Sequence, residues 1–130
     1  MIVADTDVLI DALRGRSPAA ERIGLELETG GLATTAVSAF ELRSGAKSAQ
    51  AAGAIETLLA AMTILPFDER AADRAAQARR ELESAGTPIG MADYMIAGTC
   101  LAHSAIFLTR NRRHFERVPG PALGRDSARE

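Results

Sequence analysis

A single cysteine, Cys100, is the only thiol in the chain. No intrachain disulfide can form, and a reducing compartment, the cytoplasm, is expected. No apolar stretch approaches the ~20 residues of a membrane-spanning helix. The first residues carry acids where a secretion leader needs a basic stretch and an unbroken apolar run, so neither leader nor membrane partner is expected. Histidine is scarce: His103 and His114 are the only two. With one cysteine they cannot build a convincing zinc site, and His103 reads as an ordinary helix-end residue. Lysine is nearly absent, since the 15 basic residues include only Lys47 and the rest are arginine. The net charge of −2 argues against a protein that coats nucleic acid through charge alone. No internal repeat and no linker interrupts the chain.

What is present describes one globular domain. The 130 residues, 47% hydrophobic and 25% charged, suffice to bury roughly two-thirds of the unfolded surface. "MIVA" (1–4) reads as a short buried strand and "VLIDALRG" (8–15) as a helix ending at Gly15. Ser17 can cap a helix with Pro18 at its first position, and "GG" at 30–31 ends it. "LATTAV" (32–37) and "TILPF" (63–67) suit strands, with helices "SAFELRSGA" and "GAIETLLAAM" (53–62) between them. Asp68 caps the clearest helix (68–86), whose stripe is Ala71, Ala75, Ala78 and Leu82. A helix over 91–103 and a strand over 105–109 follow. Residues 1–118 form the domain, and the Pro/Gly-rich segment 119–130 reads as a flexible tail. Strand–helix alternation predicts an α/β fold with a parallel sheet covered on both faces. Ligands of such sheets bind beyond the carboxyl ends of the strands, which is where Asp5 falls.

Three acids raise a chemical question. Asp5 can cap the helix that follows it, or it can stand at a ligand site. Asp7 and Asp11 read as helix-start and solvent-face charges. Glu41 has a simple structural role available: "SAFE" (38–41) is a capping box, with Ser38 as N-cap and Glu41 at the third helical position. Small neighbours, Ser44 and Gly45, nevertheless leave room beside its carboxylate. Asp93 lies on the apolar stripe of its own helix with Ile96, Ala97, Cys100 and Leu101. A buried carboxylate costs several kcal/mol unless paired or bound to metal. A cation suits the site better than an arginine, because Asp5 would add a second carboxylate and not a counter-charge. "TRNRRHFER" (109–117) follows the last strand on the same edge. It sets Arg110, Arg112, Arg113 and Arg117 around the acids, an arrangement suited to phosphate.

"IVADTDVLIDALRG", "SAFELRSGA", "IGMADYMIAG" and "LTRNRRHFERVPG" resemble, in order and spacing, the PIN-domain ribonucleases, and most closely the VapC toxins of toxin–antitoxin pairs. The resemblance spans roughly residues 2–120. It implies a three-layer α/β/α sandwich around a short central parallel sheet and an endoribonuclease that cuts single-stranded or loop RNA. It also implies Mg²⁺ as cofactor, with Mn²⁺ able to substitute. Asp5 and Asp93 would bind the ion directly, with Glu41 acting through water or orienting the attacking water. Thr109 and Asn111 would position that water or the phosphate, while Arg110, Arg112 and Arg113 hold the RNA backbone. The implied partners are RNA, a cognate VapB-like antitoxin and a second copy of the chain in a homodimer. Charge alone suggests that an antitoxin arginine could replace the ion against Asp5 and Asp93.

One segment departs from the family pattern. Many members carry a further acid within the stretch matching "TRNRRHF", where this chain offers Asn111 and His114. A one-metal arrangement is expected in consequence. A PIN-like module that binds RNA or a partner without cutting is the alternative. A small phosphatase using Asp5 as nucleophile is a remote one. "DTDVL" fits the D-x-D start of haloacid-dehalogenase-type enzymes, but the late acidic pair that class requires is missing.

Overall fold

The computed structural model describes residues 1–120 and 122–124. Five strands and seven helices alternate along these residues: β1 (Ile2–Ala4), α1 (Thr6–Leu13), α2 (Ala19–Thr29), β2 (Leu32–Thr35), α3 (Ala36–Gly45), α4 (Ala49–Ala60), β3 (Thr63–Leu65), α5 (Glu69–Ser84), α6 (Met91–Ala102), β4 (Ile106–Leu108), α7 (Arg112–Phe115) and β5 (Ala122–Leu123). The strands form one sheet in the order β3-β2-β1-β4-β5, and every pairing is parallel. β5 lies inside the segment read from sequence as a flexible tail; positions 121 and 125–130 of that segment lie outside the described residues.

The strands are short and apolar, and their residues alternate between two cores, as the two-residue period of a strand requires. Val3, Ala33 and Phe107 face a core built with α5 and α6, through Ala78, Leu82, Ile96 and Cys100. Ala4, Leu32 and Leu108 face a second core built with α1, α2, α3 and α4, through Val8, Ile23, Leu42 and Leu59. Helices therefore cover both faces, giving the expected three-layer sandwich.

β1 is central, with β2 on one side and β4 on the other. The chain winds outward through β2 and β3, then returns past β1 to β4. Strand order thus reverses between β1 and β4, and the crevice at that switch point is where an open α/β sheet receives its ligand. The register pairs Ala4 with Leu108. The next residues, Asp5 and Thr109, accordingly leave the sheet side by side, and Asp5 N donates to the Leu108 carbonyl at 2.9 Å.

Several helix starts differ from the sequence reading. α1 begins at Thr6, with Asp5 at its N-cap, two residues earlier than expected. Pro18, not Ser17, holds the N-cap position of α2, and Ser17 Oγ donates to Glu21 instead. α4 starts at Ala49, capped by Ser48. Asp68 caps α5 as expected, accepting from Ala71 N.

α5 and α6 approach closely because Gly98 has no side chain. A Cβ there would lie 2.5 Å from the Ala71 carbonyl oxygen and 2.6 Å from Ala75 N. Alanine would gain about 1 kcal/mol of helix propensity yet force two backbones apart. Gly98→Ala is expected to destabilise the fold by about 1–3 kcal/mol, seen as a lower urea midpoint. An unchanged or higher midpoint would refute this account of the contact.

Candidate active site

Asp5 sits at the bottom of the crevice, 6% exposed. Its Oδ1 accepts from Thr6 N at 2.8 Å and its Oδ2 from Thr109 Oγ1 at 2.8 Å. The capping reading is therefore correct as geometry, yet capping does not explain the residue's electrostatics. Its pKa is raised to about 7, chiefly by burial and next by the charge of Asp7, with Asp93 adding to the same effect. The hydrogen bonds from Thr109 and Thr6 oppose that rise without cancelling it. Asp7 is raised as well, first by burial. Two acids held against their tendency to ionise, with a third nearby, favour a cation among them.

Glu41 is not a capping-box residue. Thr35 is the N-cap of α3, accepting from Ser38 N at 3.0 Å, so the helix starts three residues before the expected place. Glu41 thereby leaves the first turn. Its Oε1 instead accepts from Thr6 Oγ1 at 2.7 Å, across 35 residues of sequence, which brings it beside Asp5. Oε2 has no protein partner among the described residues.

Asp93 lies in the first turn of α6, where the helix dipole favours negative charge. Its side chain is less buried than the apolar stripe suggested, at 24% exposed. Asp93 Oδ2 lies 3.1 Å from His114 Nδ1, and the same nitrogen lies 2.9 Å from Asn111 Nδ2. His114 is the residue that the sequence reading failed to place. Its spacing of three from Asn111 on a short helix was the available signal.

The donor set fits a hard divalent ion. No group of three or more His, Cys, Asp or Glu that could hold a metal gathers among the described residues, so three acids do not converge on one point. Mg²⁺ does not need three, since it keeps several waters and takes one or two carboxylates. Asp5 and Asp93 could supply those, with Glu41 placed to reach a water.

The arginines divide into different tasks. Arg110 donates its backbone N–H to both Asp7 carboxylate oxygens, at 3.3 and 3.2 Å, and its guanidinium bonds Asp11 Oδ1 at 3.1 Å. Asp11 is buried, contrary to its reading as a solvent-face charge. Arg112 donates to the Gly124 carbonyl at 2.6 Å and faces Glu116 at 3.8 Å. Both were expected to hold the RNA backbone, and each also makes a bond within the protein. Arg113 is exposed, with no hydrogen bond or ion pair among the described residues. Thr109 is buried, and besides donating to Asp5 its Oγ1 accepts from Asn111 N at 2.9 Å.

An apolar groove of about 290 Å³ runs between α1, α3 and α4, lined by Ile10, Leu13, Leu42, Ala46 and Ile55, with Arg14 and Glu41 also in its walls. It meets the acidic site only at Glu41. No helix among the described residues is long and apolar enough to cross a membrane.

A buried acid stands at the β1–β4 switch point, with a second on α6 and a third reached through Thr6, and the chain that carries them belongs to the PIN domain family, whose model matches residues 2–121. Within that family it is similar to VapC proteins. It is 34% identical over 120 residues to the tRNA(fMet)-specific endonuclease VapC of Shigella flexneri, covering 89% of this chain and 90% of that one. It is 35% identical over 115 residues to Ribonuclease VapC10 of Mycobacterium tuberculosis, covering 88% and 86%. Among solved structures, DNA-bound VapBC from Salmonella typhimurium superposes with a TM-score of 0.87 at 30% identity, covering 96% of this chain and 97% of that one.

Proposed function

We propose that this protein is a divalent-cation-dependent endoribonuclease, the VapC-type toxin of a toxin–antitoxin pair. The observation that carries the reading is the buried Asp5 beside Asp93, where Asp5 is pushed up to about 7 by burial and neighbouring acids. Asp5 and Asp93 would hold Mg²⁺ or Mn²⁺, which when bound offsets phosphate charge and lowers the pKa of a water. Thr109 and Thr6 hold the Asp5 carboxylate in one orientation. Glu41, anchored by Thr6 through Oε1, keeps Oε2 to orient the attacking water and take its proton. Arg113 is the arginine available to a phosphate. Water adds to phosphorus and the 3′ oxygen departs.

The toxin role rests on the VapC relatives and on the VapBC complex, and the groove beside Glu41 suits a partner's apolar segment. An arginine on such a segment could reach Glu41 and Asp5 in place of the ion. Partner binding would then displace the metal and stabilise the toxin by mass action.

The direct test is cleavage of single-stranded and stem-loop RNA with Mg²⁺ and with EDTA. Cutting that requires the ion supports the reading, and RNA binding without any cutting would favour the non-cleaving module instead. Glu41→Gln separates chemistry from structure. Because Glu41 caps nothing, the variant is expected to keep the wild-type urea midpoint while kcat falls about 10²-fold or more. Cleavage at the wild-type rate would remove Glu41 from the mechanism.

A further inference from the structure

We infer that His114 is a positioning residue for Asp93, steadied by Asn111, so that the segment 109–114 grips both acids of the site at once. The inference rests on the reading of the site as a cation-dependent nuclease centre, and it concerns residues that contribute no carboxylate.

A continuous chain of contacts links the two acids. Asp5 Oδ2 accepts from Thr109 Oγ1, and Thr109 Oγ1 accepts from Asn111 N. The Asn111 amide meets His114 Nδ1 at 2.9 Å, and His114 Nδ1 meets Asp93 Oδ2 at 3.1 Å. Asn111 occupies the N-cap of α7 but makes no capping bond with its side chain; the amide is used on the histidine instead. The other end of the Asn111 amide remains available to a water.

Nδ1 carries at most one proton, so it cannot accept from Asn111 and donate to Asp93 together. The carboxylate is the stronger acceptor. With Nδ1–H directed at Asp93, a half-turn of the Asn111 amide presents its oxygen to the same hydrogen, and both contacts become favourable. Asp93 is then held through Oδ2, leaving Oδ1 for an ion.

His114 can act as a fixed point because its own backbone is anchored on both sides. Phe115 is 1% exposed and packs edge-on to Phe107 at 4.7 Å. Arg112 is tied to the Gly124 carbonyl. Groups that orient metal-binding carboxylates commonly change affinity or activity by about 10–100-fold when removed.

The test measures Mn²⁺ binding by calorimetry alongside RNA cleavage. His114→Ala is expected to weaken Mn²⁺ binding about 10-fold or more and to lower kcat similarly, with KM for RNA changed less than about two-fold. His114→Asn places an amide nitrogen near the position of Nδ1 and is expected to recover most of both. Asn111→Ala, which leaves His114 present but unsteadied, is expected to weaken Mn²⁺ binding to a smaller extent. Wild-type Mn²⁺ affinity in His114→Ala, or an asparagine variant as impaired as the alanine one, would overturn the inference. If the wild type cuts no RNA while His114→Ala still loses Mn²⁺, the nuclease reading fails and the positioning role stands.

Discussion

Asp5→Asn is expected to abolish RNA cleavage, a loss of about 10³-fold or more, while making the protein more stable at pH 8. The substitution keeps size and shape. The amide oxygen can still accept from Thr6 N. The amide NH₂ would face Thr109 Oγ1, which already accepts from Asn111 N and has a second lone pair to offer. Little packing is lost, and a charge held among other acids disappears. Activity falls because the ion loses its most buried ligand. A variant that cuts RNA normally, or one that fails to fold, would contradict this account of Asp5. Asp93→Asn should likewise lose cleavage.

In EDTA, stability is expected to fall by roughly 4 kcal/mol as pH rises from about 4 to about 7. The sign follows from Asp5. Its folded pKa of about 7 lies above the ordinary 3.8, so the folded state holds a proton that the unfolded chain releases. The stabilisation is complete below the unfolded pKa and is lost as pH climbs through the folded one. Asp7 is raised too and adds in the same direction. Urea unfolding at pH 4.5 and 7.5, for wild type and Asp5→Asn, isolates the Asp5 contribution. Parallel pH dependence in the two proteins would refute it. Adding Mg²⁺ at pH 7.5 should restore stability to the wild type and much less to the variant, because an ion that binds only the folded state shifts the equilibrium toward it.

Much of this was legible in sequence because it is local. The short apolar runs, the acid ending the first of them and the acid on an apolar helical stripe all follow from periodicity. The capping role offered for Glu41 fails because the sequence offers two N-caps three residues apart, Thr35 and Ser38. Local chemistry fits both. The choice is made by the sheet, since Thr35 is still paired with Leu65 in β3 and the helix starts directly afterwards. The internal bonds of Arg110 and Arg112 were illegible for a related reason. Arg110 finds Asp11 across 99 residues, a pairing that no window of sequence contains. The contact between His114 and Asp93 also spans elements, 21 residues apart.

The unequal use of the arginines bears on how such a protein can change its target. Arg110 and Arg112 are committed to internal bonds, so replacing either costs stability before it alters recognition. Arg113 stands outside that framework, and surface substitutions of this kind usually cost under about 0.5 kcal/mol. If Arg113 holds the RNA backbone as proposed, selection for a new RNA can act on the outer edge of the crevice while the acids beneath stay as they are. The chemistry would then be inherited whole, and its address rewritten one exposed residue at a time.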